Sequence, residues 1–162
     1  MANENLEILI GDDLFAEPIA SRSLKRTLEP LKEYGMQLTY ATTPEEVLKE
    51  AQTQKYDCII TDLDYGTTGR VGTEGFDIID TLSQINFNPR PYIILCTSQD
   101  THQELIQKKL QEGKLNALVG PGPFNKFTAL KNYLLKHYSK KGAPAEGDKP
   151  LQLEGGEEEC KK

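Results

Sequence analysis

The chain has no long apolar run, and this sets its first boundary. Nothing in it approaches the roughly 18 consecutive apolar residues of a membrane-spanning helix. The opening MANENLE also lacks the cationic and apolar regions of a secretory signal, so a cytoplasmic location is expected. A basic excess is missing too: 19 Lys and Arg against 25 Asp and Glu give a net charge of -6. That balance offers no broad cationic surface to a nucleic-acid backbone and argues against a binder of that kind. Cysteine and histidine are sparse, with three Cys, two His and no CxxC pair, so a zinc site is not expected. Cys58 and Cys96 lie in apolar runs, where a reduced thiol behaves as a small hydrophobe. His102 and His137 stand alone near the start and end of helical segments, and surface histidines account for both. GPGPFNK lacks the GxxxxGK[ST] spacing of a nucleotide-binding loop.

What the chain does have is alternation. At 162 residues it suits one domain with a full core. Strand-length apolar runs at 6–11, 37–41, 57–61, 92–97 and 116–119 are separated by segments of helical period. The second helix, about 44–54, is signalled by Thr43 as N-cap, Pro44 at the first helical position and acids at 45 and 46. The fourth is expected to open at Asp100 or Thr101 and stop at Gly113, with Leu105, Ile106 and Leu110 on one face. Phe127, Leu130 and Leu134 give the fifth a buried stripe ending near Tyr138. A first helix over about 15–33 is interrupted by Pro18 and Pro30, and a third over about 75–85 follows glycines. Five strands alternating with five helices imply a doubly wound α/β domain with a five-stranded parallel sheet covered on both faces. It spans 1–139. From 140 to 162 the sequence turns charged and rich in Gly and Pro, and a disordered tail is expected there.

In such a sheet, ligands bind at the carboxyl ends of the strands, near the point where strand order reverses. Those ends carry Asp12 and Asp13, then Asp62 and Asp64, then Thr97 and Ser98. Carboxylates gathered there repel one another by about 4 kcal/mol per pair at an effective dielectric of about 20, so they need a cation or a raised pKa. An all-oxygen cluster suits Mg²⁺, and a carboxylate beside that ion can accept a phosphoryl group. Any one of these acids alone could equally cap a turn or a helix. Three acids and a hydroxyl at three separate strand ends favour a site.

These motifs, in this order, resemble the receiver domain of two-component response regulators over residues 5 to about 138, which implies the (βα)5 flavodoxin-like fold. "ILIGDD" is similar to the family's first strand and maps its metal-binding acids onto Asp12 and Asp13. "YDCIITD" is similar to the third strand, which makes Asp62 the phosphoacceptor and the backbone carbonyl of Asp64 a metal ligand. "GFDIIDTL" resembles the start of the third helix, and "YIILCTS" the fourth strand, whose terminal hydroxyl, here Thr97, contacts the phosphoryl group. The resemblance implies Mg²⁺ as cofactor, a histidine kinase or phosphotransfer protein as donor, and a protein target reached through the face around the fourth helix and fifth strand. It implies no enzymatic turnover beyond self-catalysed phosphorylation and dephosphorylation.

The departures are equally specific. The family's fifth strand ends in a lysine followed by proline, whereas "NALVGPGPFNKF" puts Gly120 before Pro121. Lys126, six residues later, is the candidate substitute, and a solvated residue opening the last helix is the competing account. The aromatic that precedes the lysine in the family falls at Ala117. The loop YGTTGRVGTE is longer than usual, and its Arg70 is a second candidate to meet a phosphoryl group. "DLDYGTTG" also looks like the DxDGT motif of haloacid-dehalogenase-type phosphatases, with Asp62 as nucleophile and Asp64 as acid/base, but that family's second acidic pair follows the nucleophile and here the pair precedes it. A degenerate receiver that binds a partner without phosphorylation is the remaining alternative.

Overall fold

The computed structural model describes residues 5–66, 72–122 and 125–138. Both the charged segment from residue 140 onward and Arg70 lie outside these residues. Five strands form one parallel sheet: β1 (Leu6–Gly11), β2 (Met36–Ala41), β3 (Cys58–Thr61), β4 (Tyr92–Cys96) and β5 (Ala117–Val119). Their order is β2-β1-β3-β4-β5, so the direction of winding reverses between β1 and β3. Helices α1 (Pro18–Leu28), α2 (Pro44–Thr53), α3 (Glu74–Gln84), α4 (Gln103–Gln111) and α5 (Lys126–Tyr138) cover the two faces. None of them is long and apolar enough to cross a membrane.

The central strands carry unbroken apolar runs at residues 8–10, 58–60 and 93–96 because alternate residues serve different cores. Leu9, Ile59, Ile93 and Leu118 point to the face covered by α2, α3 and α4, while Ile8, Ile60, Ile94 and Val119 point to the face of α1 and α5. Cys58 and Cys96 are buried free thiols in the second core, and burial pushes both pKa values up to about 12.

The expected helix over 15–33 is three pieces. A 3-10 turn over Asp13–Ala16 precedes α1, and a second over Glu29–Tyr34 follows it. The prolines mark the joints: Pro18 stands in the first turn of α1 and Pro30 in the first turn of the second 3-10 segment, where a missing N–H costs nothing. Capping at α2 follows the sequence, with the Thr43 hydroxyl accepting the Glu46 N–H at 3.1 Å and Glu46 accepting the Thr42 N–H at 2.7 Å. Helix α4 opens later than expected, at Gln103, after His102 in a left-handed conformation (φ 59°). His137 of α5 is not the surface histidine expected: it is buried, with its ring stacked on Tyr133 at a centroid distance of 4.2 Å. Leu105 does not join its buried stripe and is 44% exposed, because Ile106 and Leu110, one turn apart, take the core-facing line. The lysine between them, Lys109, is buried and pairs with Asp80 of α3 at 2.8 Å.

Candidate functional site

The reversal of strand order between β1 and β3 brings two acids out of the sheet side by side. Gly11 and Thr61 are register partners. One residue on, the Asp62 N–H donates to the Gly11 carbonyl at 3.1 Å, and the Asp12 N–H donates to Ala41 at 3.0 Å. Asp12 meets both roles open to it in the sequence. Its Oδ1 accepts the Leu14 N–H at 3.0 Å and caps the 3-10 turn. Its Oδ2 faces Lys126 Nζ at 2.6 Å. Carboxylate oxygens of Asp12, Asp13 and Asp62 all lie within 4.8 Å of one another, with Asp12 and Asp62 buried and Asp13 half-buried.

Lys126 is the cation of this cluster. Besides Asp12 it reaches Asp62 Oδ1 at 3.0 Å, and its side chain is only 11% exposed, so a solvated residue does not describe it. Gly120 cannot supply this charge. Its φ is +82°, and a Cβ there would run into the carbonyl of Thr97. The backbone instead passes through Pro121 and Gly122 into α5, whose first turn is capped by Asn125, with Oδ1 accepting the N–H groups of Phe127 at 2.8 Å and Thr128 at 3.1 Å. Phe127 then packs edge-on to Phe15, with ring centroids 5.6 Å apart, which seats the first turn of α5 beside the end of β1.

The electrostatics follow from this packing. Burial raises the Asp62 pKa above the usual carboxylate range; Lys126 opposes that rise and the charge of Asp12 adds to it. Asp13 is raised by burial and then by Asp12. Burial alone would lower Lys126, yet Asp12 and Asp62 hold its pKa above the usual lysine value, so it stays an ammonium. Among the described residues, three carboxyl groups meet one ammonium on a few ångströms of surface, an excess of acid over base. This donor set fits a hard divalent cation.

The remaining candidates stand around the cluster. Thr97 follows β4 directly and is buried; its N–H donates to Val119 at 3.1 Å and its hydroxyl accepts the Gln99 N–H at 3.1 Å. Asp64 is not one of the gathered carboxylates, because its side chain turns back to accept the Gly66 N–H at 2.9 Å. The next peptide is also fixed, with the Tyr65 N–H donating to Glu74 Oε1 at 3.1 Å. Tyr65, which in the sequence only spoils a DxDGT match, is buried beneath the site with its hydroxyl 2.8 Å from that of Thr61. No local pattern in the sequence marks it; the bare backbone of Gly11, where a Cβ would run into Val47 and the Tyr65 hydroxyl, leaves room for it only in the folded chain.

The response regulator receiver domain family matches residues 8–130. The chain belongs to this family. Receiver domains are typically signalling modules of two-component systems that interact with histidine kinases or phosphotransfer proteins, and the acidic cluster is compatible with Mg²⁺ and phosphorylation. Among solved structures, the chemotaxis response regulator CheY4 of Vibrio cholerae is similar at 21% identity and a TM-score of 0.57, covering 80% of this chain and 96% of that one. The response regulator TrrA of Thermotoga maritima, solved with Mg²⁺ and a beryllium fluoride, is similar at 27% identity and a TM-score of 0.55, covering 81% of this chain and 97% of that one. The receiver domain of a Pseudomonas aeruginosa sensor histidine kinase, with magnesium in its active-site cleft, matches at 18% identity and 0.57, covering 82% and 96%. No curated protein matches this receiver significantly.

Proposed function

We propose that this receiver is a cytoplasmic phosphoacceptor that takes a phosphoryl group onto Asp62 with Mg²⁺ and signals by binding a protein target through the surface around α4 and β5. The observation that carries the reading is the Asp12–Asp13–Asp62 cluster with Lys126 seated in it. Asp12, Asp13, Asp62 and the carbonyl of Asp64 would hold the ion, which when bound neutralises charge developing on the phosphoryl oxygens.

The chain's own groups do the rest. The Leu63 N–H at 2.8 Å and Lys126 at 3.0 Å both engage Asp62 Oδ1, so Oδ2 is the oxygen offered to phosphorus. As the Oδ2–P bond forms, the bond from phosphorus to the donor breaks and its electron pair leaves with the donor, a phosphohistidine or a small acyl phosphate. Lys126 then pairs with an oxygen of the transferred group, and Thr97 is placed at the neighbouring strand end to donate its hydroxyl to another. The degenerate reading rested on a missing lysine and a missing aromatic; Lys126 beside Asp62 speaks against the first ground, while Ala117 still stands where the aromatic is usual.

The test is incorporation of phosphate from acetyl phosphate, with and without Mg²⁺, in the wild type and Asp62→Asn. Mg²⁺-dependent labelling that is lost in Asp62→Asn is expected. Labelling that is absent in the wild type, or undiminished in the variant, overturns the reading.

A further inference from the structure

The peptide unit joining Asp62 to Leu63 is gripped from three directions. Its N–H donates to Asp62 Oδ1 at 2.8 Å, which ties the acceptor carboxylate to the orientation of that peptide plane. Its carbonyl oxygen accepts the Thr61 hydroxyl, also at 2.8 Å. Gly75, at the start of α3, lies so close that any Cβ would overlap the same carbonyl, while its N–H donates to Leu63 O at 2.8 Å.

The Thr61 proton is spent on that carbonyl, so the Tyr65 hydroxyl, 2.8 Å away, is the donor to Thr61 Oγ1. A directed chain results, from Tyr65 O–H to Thr61 O–H to the Asp62 carbonyl, in which each bond polarises the next. Everything in it is buried, with Thr61 at 0% and Tyr65 at 3% exposure. Tyr65 is held at its other end as well, since its own N–H donates to Glu74 Oε1 at 3.1 Å. That second bond turns the opposite edge of the same peptide, the Asp64 carbonyl, away from Glu74. One residue therefore sets two peptide planes, those that follow Asp62 and Asp64.

We infer that Tyr65 is a positioning residue for the phosphoacceptor, acting through Thr61 and the Asp62–Leu63 peptide to aim the Asp62 carboxylate. The inference rests on the phosphoacceptor reading given above. A Cβ at Gly11 would run into both the Tyr65 hydroxyl and a methyl of Val47, so the bare backbone there leaves room for the two of them. The ring's packing and the hydroxyl's role are separable, because Phe fills the same space.

Tyr65→Phe, Thr61→Val, the double variant and Thr61→Ser are compared in full-length protein by the rate of phosphorylation against acetyl phosphate concentration at saturating Mg²⁺. Tyr65→Phe is expected to lower the maximal rate about tenfold, the rate equivalent of one hydrogen bond, with little change in half-saturating concentration. Thr61→Val breaks the same chain, so the double variant is expected to be no slower than the slower single, and Thr61→Ser, which keeps the hydroxyl, restores the rate. A readout independent of the metal and of turnover is hydrogen exchange at the Leu63 amide in metal-free protein, where protection falls in Tyr65→Phe while the Tm stays within a few degrees. Wild-type rate in Tyr65→Phe, effects that multiply in the double variant, or unchanged Leu63 protection overturns the positioning role alone. A wild type that takes no phosphate overturns the phosphoacceptor reading and this role with it.

Discussion

At the scale of single residues, one position was decided by space and another by reach. Gly120 is glycine because its φ of +82° and the Thr97 carbonyl leave no room for a side chain, and Lys126 supplies the charge from the start of α5. Gly120→Lys is therefore expected to cost at least about 1–2 kcal/mol in stability and to leave a Lys126→Met variant unrescued, as read from denaturant melts and phosphorylation rates. Lys126→Met itself leaves Asp12 and Asp62 without their common cation. It is expected to bind Mg²⁺ several-fold more tightly than the wild type, since the competing ammonium is gone, and to react more slowly; weaker Mg²⁺ binding in a direct titration would count against this account of the site. The acids were legible in the sequence because strand ends in a parallel sheet announce themselves. Lys126 was legible only as a candidate, because whether an amine six residues after Gly120 meets the acids is decided by the backbone at Gly120 and by the seat of Phe127 against Phe15, neither of which is a local pattern. Tyr65 was missed because it reads as a loop residue until its buried hydroxyl is seen to meet that of Thr61.

Among the elements, α3 and α4 are joined by charge as well as by apolar packing. Lys109 is buried against Phe76, with Nζ 5.3 Å from the ring centroid, and pairs with Asp80, which Lys114 also approaches at 3.6 Å. Partial burial would raise the Asp80 pKa, but the hydrogen bond and charge of Lys109, with Lys114, outweigh it and hold the carboxyl below its ordinary value. Its contribution to stability is therefore complete above the unfolded value of about 3.9 and is lost as pH falls through the lower folded value. Asp80 is 42% exposed, so solvent screening keeps that electrostatic part below about 1 kcal/mol. The stability gap between the wild type and Lys109→Met is expected to narrow between about pH 5 and pH 2 in urea melts; a gap that does not change would mean that only packing was lost. Helix periodicity found α2, α3 and α5 to within a residue or two. It misjudged the segment from 15 to 33 because proline in a first turn begins a new helix as readily as it ends the old one. Leu105 was misplaced for a related reason: three apolar residues fit the stripe, and Lys109 occupied the place between the two that used it.

For the whole molecule, the sheet is a partition between two cores. Ile59 and Ile60 are neighbours in sequence, each 1% exposed, yet they serve opposite faces. Truncating either to Ala is expected to cost about 2–5 kcal/mol. Because β3 carries both, each variant should lower the denaturation midpoint of a single transition as followed by two probes, one on each face; a split transition would mean that the faces unfold separately. The fold was legible at this scale because unbroken apolar strands alternating with amphipathic helices leave few other architectures open. Sheet order was not written in the pattern, and it is the order that sets Asp12 beside Asp62.

The route from Gly120 to Lys126 also changes what it means for such a chain to have lost a residue. Compared column by column, the end of β5 holds Gly120 and no lysine; in space, an ammonium from Lys126 still meets Asp12 and Asp62. Surface connections usually absorb insertions and deletions freely. This one is pinned at one end by a bare backbone wedged against Thr97 and at the other by an amine lodged between two carboxylates. A residue added to it or taken from it is therefore expected to pull the amine off the carboxylates, so that the connection's length belongs to the site as much as its side chains do.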